Sequence, residues 1–431
     1  MRISRRKSMA LAGALLLSAG AAACSPSSGG SSSNSAKGTT TVTFRLWDDQ
    51  VAKAYRQSFA QFQKANPKIH VDVQVVPWAN YFTKLTSDVG GGNPPDIFWT
   101  NTSNFGIYAD NHQLLDVGTP LKDEQSGWQK SVTDLYTRNG TVWGVPQLWD
   151  SIALYYNKDL VKKAGVNPAD LTWDPTGKND TFLAAAKKLT KGSGAGAQYG
   201  FNASYDGQAI YWDFAGSNGG VWQKGDRFAD ADPKTEQAIQ YVVNLINKEK
   251  VSPPAADTNT NGNKTLQLFT QGKIALFQSG PYNLQNIRQG AKFSWGIAPM
   301  LKGPAGRVGV IHGVSALASA KTPHKAATLK VMRWLGSAQG QQAIASGGYA
   351  FPGVKADQAA FVGYWKKQGQ DVSPFVAAAD GTTFPAPLGP KVQAGATAMD
   401  PILQQVFLGR TPVAKGLQQA QTAGNKAIAG G

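Results

Sequence analysis

Residues 142–160 read Val-Trp-Gly-Val-Pro-Gln-Leu-Trp-Asp-Ser-Ile-Ala-Leu-Tyr-Tyr-Asn-Lys-Asp-Leu. One apolar run closes at Pro146, and a second, rich in β-formers, opens at Ile152, so the spacing predicts two strands meeting end to end. Gln147, Trp149 and Asp150 lie at the join. Two readings of that join are open. One is a solvated turn. The other is a crossing between two lobes, where an indole beside a carboxylate offers a stacking face with a hydrogen-bond acceptor next to it.

Working outward, Val42, Phe44 and Leu46 alternate with polar residues, as in a strand, and Trp47, Asp48, Asp49 and Gln50 follow at its end. Tyr55, Phe59 and Phe62 then recur at helical spacing, Asn66-Pro67 stops the helix, and a second strand covers 69–76. This is the β-α-β unit of an open α/β sheet, whose ligands sit beyond the carboxyl ends of the strands. Asp48, Asp49 and Gln50 therefore lie where a ligand can be met, although a helix N-cap accounts equally well for one of the aspartates. A third strand over 96–99 puts Trp99 and Asn101 at the same mouth. Trp99 has two readings, core packing or an aromatic platform on which a ligand ring stacks.

Further on, Ile239, Val242, Val243 and Ile246 mark a core-facing helix. Trp212 heads an apolar helix and either lines a cleft or packs beneath it. The run 274–277 is a short apolar strand ending in Gly280-Pro281-Tyr282, where glycine permits close backbone approach and throws the ring beyond the strand end. His312-Gly313 interrupts an otherwise apolar strand over 308–317.

At the N-terminus, Arg2, Arg5, Arg6 and Lys7 precede an apolar run from Met9 to Ala19, too short to span a bilayer but suited to an export signal. Ala21-Ala22-Ala23 leads to Cys24, the single cysteine, and then to a Ser/Gly-rich tract, in a pattern that resembles a bacterial lipobox. The expectation is a signal peptide over 1–23, lipidation of Cys24 and a flexible tether over 24–40. That places the protein on the outer face of the cell membrane, held there by its lipid.

The formal charge is +16, and loss of residues 1–23 leaves +12, but the basic residues form no block of five or six. The charge is read as solvated surface, and no nucleic-acid partner is expected. Four histidines and one cysteine leave little for a metal or a catalytic triad, and no nucleophile elbow or His-Glu-x-x-His helix occurs. No cofactor and no enzymatic activity are expected.

Three strings carry a family resemblance: Pro146-x-x-x-Asp150 with Tyr156-Asn157-Lys158-Asp159-Leu160, Pro95-Asp96-Ile97-Phe98-Trp99, and Gln271-Gly272-Lys273 through Gly280-Pro281-Tyr282. Together they resemble the bacterial extracellular solute-binding proteins of ABC importers, typified by maltose-binding protein. The resemblance implies a two-lobe α/β periplasmic-binding-protein fold of type II with a hinge between the lobes. The expected lobes are 41–147 with 306–348 and 148–305 with 349–431. It further implies that Asp150 binds sugar hydroxyls on the first hinge segment, that Tyr282 replaces a stacking tryptophan, that Trp212 lies on a helix at the cleft rim, and that Gly313 faces the ligand beside His312. After Trp99 the family's charged pair is replaced by Thr102, Ser103 and Asn104, a departure from its maltodextrin binders. The expected partners are a carbohydrate and separate permease chains, with the receptor itself monomeric. Two alternatives stay open: a secreted glycosidase using Asp48, Asp96 and Asp150, or the same fold binding a peptide, polyamine or osmolyte, of which a cationic cargo would want more carboxylates.

Overall fold

Alternating apolar residues give β1 (Thr40–Leu46), and its inward side chains Val42, Phe44 and Leu46 are fully buried. α1 (Asp49–Ala65) starts where Asp48 accepts hydrogen bonds from the backbone N–H of Gln50 and Val51, and it lays Tyr55, Phe59 and Phe62 against the sheet. β2 (Ile69–Val75), α2 (Trp78–Gly90), β3 (Ile97–Asn101) and α3 (Thr102–Asp110) complete the first α/β units. The computed structural model describes residues 38–259, 262–389 and 391–430. The export signal, Cys24 and most of the tether lie outside them.

β4 (Gly144–Asp150) and β5 (Ala153–Asn157) are the two strands expected to meet end to end, and they belong to different sheets. β5 is the centre of a three-stranded antiparallel sheet between β6 (Leu276–Ser279) and β7 (Trp295–Pro299). The first sheet runs β2-β1-β3 in parallel and then continues with the long antiparallel β8 (Val308–Ala318). β8 also pairs antiparallel with β4 and, over Val308–Ile311, parallel with β9 (Thr382–Pro385).

The chain passes from the first sheet to the second at Ser151–Ile152, both buried, with the Ser151 hydroxyl donating to Phe375 O at 2.6 Å. The expected boundary after residue 147 thus falls inside β4. β8 carries the chain back, and its lower half is tied to the helix Trp212–Ser217 by Val310 N–H donating to Asp213 Oδ1 at 3.0 Å. Residues 351–375 do not separate with one sheet. Phe351 packs on Trp149, while Phe375 packs on Tyr155 of β5, so this segment bridges the two sheets. The closing helices Val392–Phe407 and Val413–Gly430 add Met399, Leu403, Phe407 and Leu417 to a second apolar cluster, which also holds Ile239 and Val242.

Candidate ligand-binding cleft

The carboxyl ends of β1, β2, β3 and β4 converge on one cavity of about 680 Å³, closed on its other side by the end of β6 and the segment 202–208. This is the position that an open α/β sheet reserves for ligands. Of the residues singled out in the sequence, Trp47, Asp48, Trp99, Asn101, Asp150, Tyr282, His312 and Gly313 border it. Asp49, Gln50, Trp149 and Trp212 do not.

The reasons are local. Asp48 takes both roles proposed for the pair, capping α1 and bordering the cleft, whereas Asp49, one residue into the helix, is exposed and pairs with Lys53 at i+4. Gln50 also turns to Lys53, whose Nζ donates to its Oε1 at 3.3 Å. On β4, side chains alternate between faces. Leu148 and Asp150 face the cleft, so Trp149 must face the other way, where it is 3% exposed with its ring centre 4.2 Å from that of Phe351. The pairing of Trp149 and Asp150 in one site was incompatible with a strand.

Trp99 needs a second correction. It borders the cavity but is 1% exposed, held edge-on by Trp47 at 5.0 Å and by Tyr55 at 5.7 Å. A covered indole is a wall, not a platform. The open aromatic faces belong instead to Trp78, 54% exposed at the start of α2, and to Tyr282, 36% exposed. Trp47 bridges wall and platform, with its ring 5.2 Å from Trp78. Trp78 was legible in the sequence, since it follows the end of β2 as Trp47 follows β1, but the signal was not used. Tyr282 borders the cleft, but its ring folds back over the strand end instead of being thrown beyond it: a Cβ on Gly280 would come within 2.2 Å of the ring, so the glycine is what permits this. Gly313 is needed for a different contact. A Cβ there would lie 2.5 Å from Val132 on the helix Lys130–Leu135, so close packing demands the glycine while its backbone borders the cleft.

From the second sheet's side come groups the sequence did not reveal: Asn202, Asp206, Gln208, Gln278 and Asn283. They sit on separate segments spread from Asn202 to Asn283, and only tertiary structure assembles them. Asn202 and Gln278 lock each other, Gln278 N–H donating to Asn202 Oδ1 at 2.8 Å and Asn202 Nδ2 to Gln278 O at 3.0 Å. Asp206 caps the turn that follows it, accepting from Ala209 N–H at 2.9 Å.

The electrostatics are one-sided. Asp48, Asp150 and Asp206 face the cleft, and no lysine or arginine borders it among the described residues, in a chain of net charge +16. Burial, and then the nearby Asp48, push the Asp150 carboxyl up to about 7. Burial also raises Asp48 and Asp206. His312 lies opposite Asp150 in the β8–β4 register, and burial pushes its imidazole down to about 4, so it is neutral at pH 7. Its Nε2, the Nε1 of Trp99 and the Nε2 of Gln208 are buried with no hydrogen-bond partner among the described residues, and all three side chains border the cavity. Such groups are rare in folded proteins and costly unless a partner arrives. Asp96, the third acid of the glycosidase reading, is at the far end of β3. There it accepts from Thr43 N–H at 2.9 Å and from the Thr43 and Thr322 hydroxyls, and so serves as a tie between strands.

Comparison with known proteins places this architecture. A maltooligosaccharide ABC transporter solute-binding lipoprotein of Streptococcus pneumoniae is 24% identical over 306 residues, covering 70% of this chain and 69% of that protein. The first curated relatives, from Brucella, are matched over 66% of their length, so the chain spans about two thirds of them. The crystal structure of UspC from Mycobacterium tuberculosis is 40% identical with a TM-score of 0.73, covering 90% of this chain and all of that one. The ABC substrate-binding protein Lmo0181 of Listeria monocytogenes, solved with cycloalternan, has the same fold at a TM-score of 0.80 and 21% identity, covering 91% and 99% of the two chains. The sequence profile of the bacterial extracellular solute-binding proteins matches residues 48–342, and the chain belongs to that family.

Proposed function

We propose that this protein is the extracellular carbohydrate-binding component of an ABC import system, closing its two lobes on a sugar or oligosaccharide and handing it to a separate permease. The observation that carries the reading is the cleft's mixture of unspent groups. Carboxylates that accept hydrogen bonds, the unpartnered ring nitrogen of His312 and side-chain amide of Gln208, and the open faces of Trp78 and Tyr282 converge on one space. A polyhydroxyl ring answers all three at once, because each hydroxyl both donates and accepts and the ring has an apolar face. Closure of a hinged receptor gives the permease a shape that differs from the empty form. Nothing in such a cycle requires a bond to be made or broken.

Thermal-shift screening against a carbohydrate panel, followed by calorimetry, tests this. Neutral sugars are expected to bind, and sugars carrying a carboxylate or phosphate are expected to bind at least about tenfold more weakly, because three carboxylates repel them and no lysine or arginine among the described residues borders the cleft. Equal binding of acidic and neutral forms, or binding only of peptides or osmolytes, would remove the reading. Release of reducing sugar would favour the glycosidase instead.

The anchor is proposed on the sequence pattern alone: export, lipidation at Cys24, and retention at the outer face of the membrane as a monomer. Cys24→Ser is expected to move the exported protein from the membrane fraction to the medium or periplasm. Unchanged membrane retention would show that another feature holds it.

A further inference from the structure

The parallel strands of the first sheet point their carboxyl ends at the cleft, so their amino ends gather at the opposite pole. There Thr40 of β1 is in register with Ile69 of β2, and Ile97 of β3 with Ala318, where the antiparallel β8 ends. The turns at this pole carry Lys68 and Lys321, the last turn of α1 adds Lys64, and the helix Lys325–Leu335 adds Lys325 and Lys330. All five are exposed, and none forms an ion pair among the described residues. Thr40, Ile69, His324, Lys325 and Lys330 surround a hollow of about 310 Å³.

The acids nearby do not balance these charges. Asp88, at the end of α2, is already paired with Arg45 and Lys84. Asp96 is buried and bonded to Thr43 and Thr322. Asp116 reaches the edge of this face, on the segment whose Leu115 N–H donates to Ala318 O, and its carboxylate accepts from Thr119 N–H and hydroxyl. The lysines form no block in the sequence, being spread from Lys64 to Lys330, and it is the fold that collects them on one side of the molecule.

We propose that this pole is a membrane-facing surface, which rests on the anionic headgroups of the bilayer to which the chain is tethered. The proposal rests on the anchor reading above. Two observations select a lipid surface over other polyanions. Lysine ammonium groups on long exposed stems suit a diffuse layer of phosphates, and each one near such a surface adds to the attraction. The chain also enters the fold inside the basic face, where Thr40 N–H donates to Lys68 O at 2.9 Å. Cys24 precedes Thr39 by 15 residues, a reach of at most roughly 55 Å at ~3.3–3.6 Å per residue. A tether of that length keeps the pole at high effective concentration near the bilayer. Resting on it, the receptor holds its cleft away from the lipid. Screening within ~8 Å at physiological salt leaves the contact too weak to retain an unlipidated chain, in keeping with the release expected of Cys24→Ser.

The test is co-sedimentation of the mature chain, residues 24–431 carrying Cys24→Ser, with vesicles of phosphatidylcholine alone or with an equal part of phosphatidylglycerol. Binding to the anionic vesicles is expected to be at least about tenfold tighter at low salt and to lose that advantage by ~0.5 M salt. Reversing Lys68, Lys325 and Lys330 together, each Lys→Glu, is expected to abolish the preference with a melting temperature close to native, since all three are exposed. Reversing the exposed Lys162, Lys163 and Lys415 makes the same change in net charge elsewhere and is expected to keep most of it. Equal binding to both kinds of vesicle, or equal loss in the two triple variants, overturns the surface. Binding to inorganic polyphosphate as tight, per phosphate, as to vesicles would replace the membrane with a soluble polyanion. Because the protein tested carries no lipid, these outcomes are distinct from failure of the anchor reading, which is read by fractionating cells.

Discussion

Asp150→Asn is expected to weaken sugar binding by about 1.5–3 kcal/mol, roughly 10- to 150-fold, and at the same time to raise the melting temperature of the empty protein above neutral pH. Both effects come from one carboxyl group at the end of β4. It accepts hydrogen bonds from ligand hydroxyls best when ionised, and charge-assisted bonds exceed those to an amide. Without ligand the same ionised group is poorly solvated and faces Asp48, which is why its carboxyl is pushed up to about 7. The sign of the stability effect follows. A folded-state value above the unfolded one means that Asp150 favours the fold most when the pH is below about 4, and that this contribution is lost as the pH rises through about 7. The asparagine variant has no such loss, so its advantage in melting temperature should be small at about pH 4, should grow as the pH rises, and should level off above about pH 7. Affinity runs the other way. In the wild type it should fall as the pH is lowered through about 7, whereas in Asp150→Asn it should be flatter, with Asp48 and Asp206 as the titrating acids that remain. Differential scanning calorimetry and ligand titration over that range read both. An asparagine variant with native affinity, or one destabilised at pH 8, would count against Asp150 as a ligand acceptor held at a cost to stability.

How far the sequence disclosed this site depends on the kind of signal each residue left. Strand alternation and helical spacing are local, and they were enough for the α/β units, the end-to-end strands β4 and β5, and the Gly280-Pro281-Tyr282 turn. Asp150 and Tyr282 were legible for the same reason, since both stand at strand ends. The failures came from applying the strand-end rule without the two-residue period. Asp150 and Trp149 cannot both face one side of β4, and of the two aspartates after β1 only Asp48 borders the cleft, because Asp49 already lies on α1. Asn202, Asp206, Gln208 and Gln278 left no local signal at all. Their positions depend on mutual hydrogen bonds and on the turn after Asp206, contacts that exist only once the second sheet is formed. The lobe boundary behaved similarly. Residues 351–375 pack on both sheets, and no composition shift marks a segment that bridges two cores.

Trp99 and Trp78 give the sharpest contrast between a residue that holds the site and one that offers itself to the ligand. Trp99→Ala is expected to destabilise the protein by about 3–5 kcal/mol, the scale of a large aromatic removed from a close-packed interior. The ring touches Trp47 and Tyr55, and its loss would leave Trp47, the support of the exposed platform, without its own backing. Tyr81, whose hydroxyl lies 2.8 Å from Trp99 O and 3.1 Å from Arg45 O, ties the backbones of β3 and β1 and would be retained, so the fold should survive in a weakened form. Trp78→Ala should do the reverse. The side chain is half exposed, so stability should move by less than about 1 kcal/mol, while sugar affinity falls by about 1–3 kcal/mol through loss of an aromatic contact. Paired denaturant unfolding and calorimetric titration of the two variants separate these outcomes. If Trp99→Ala kept full stability and lost affinity, the indole would be reaching the ligand after all, and the cleft would have to open further than the arrangement around Trp47 allows.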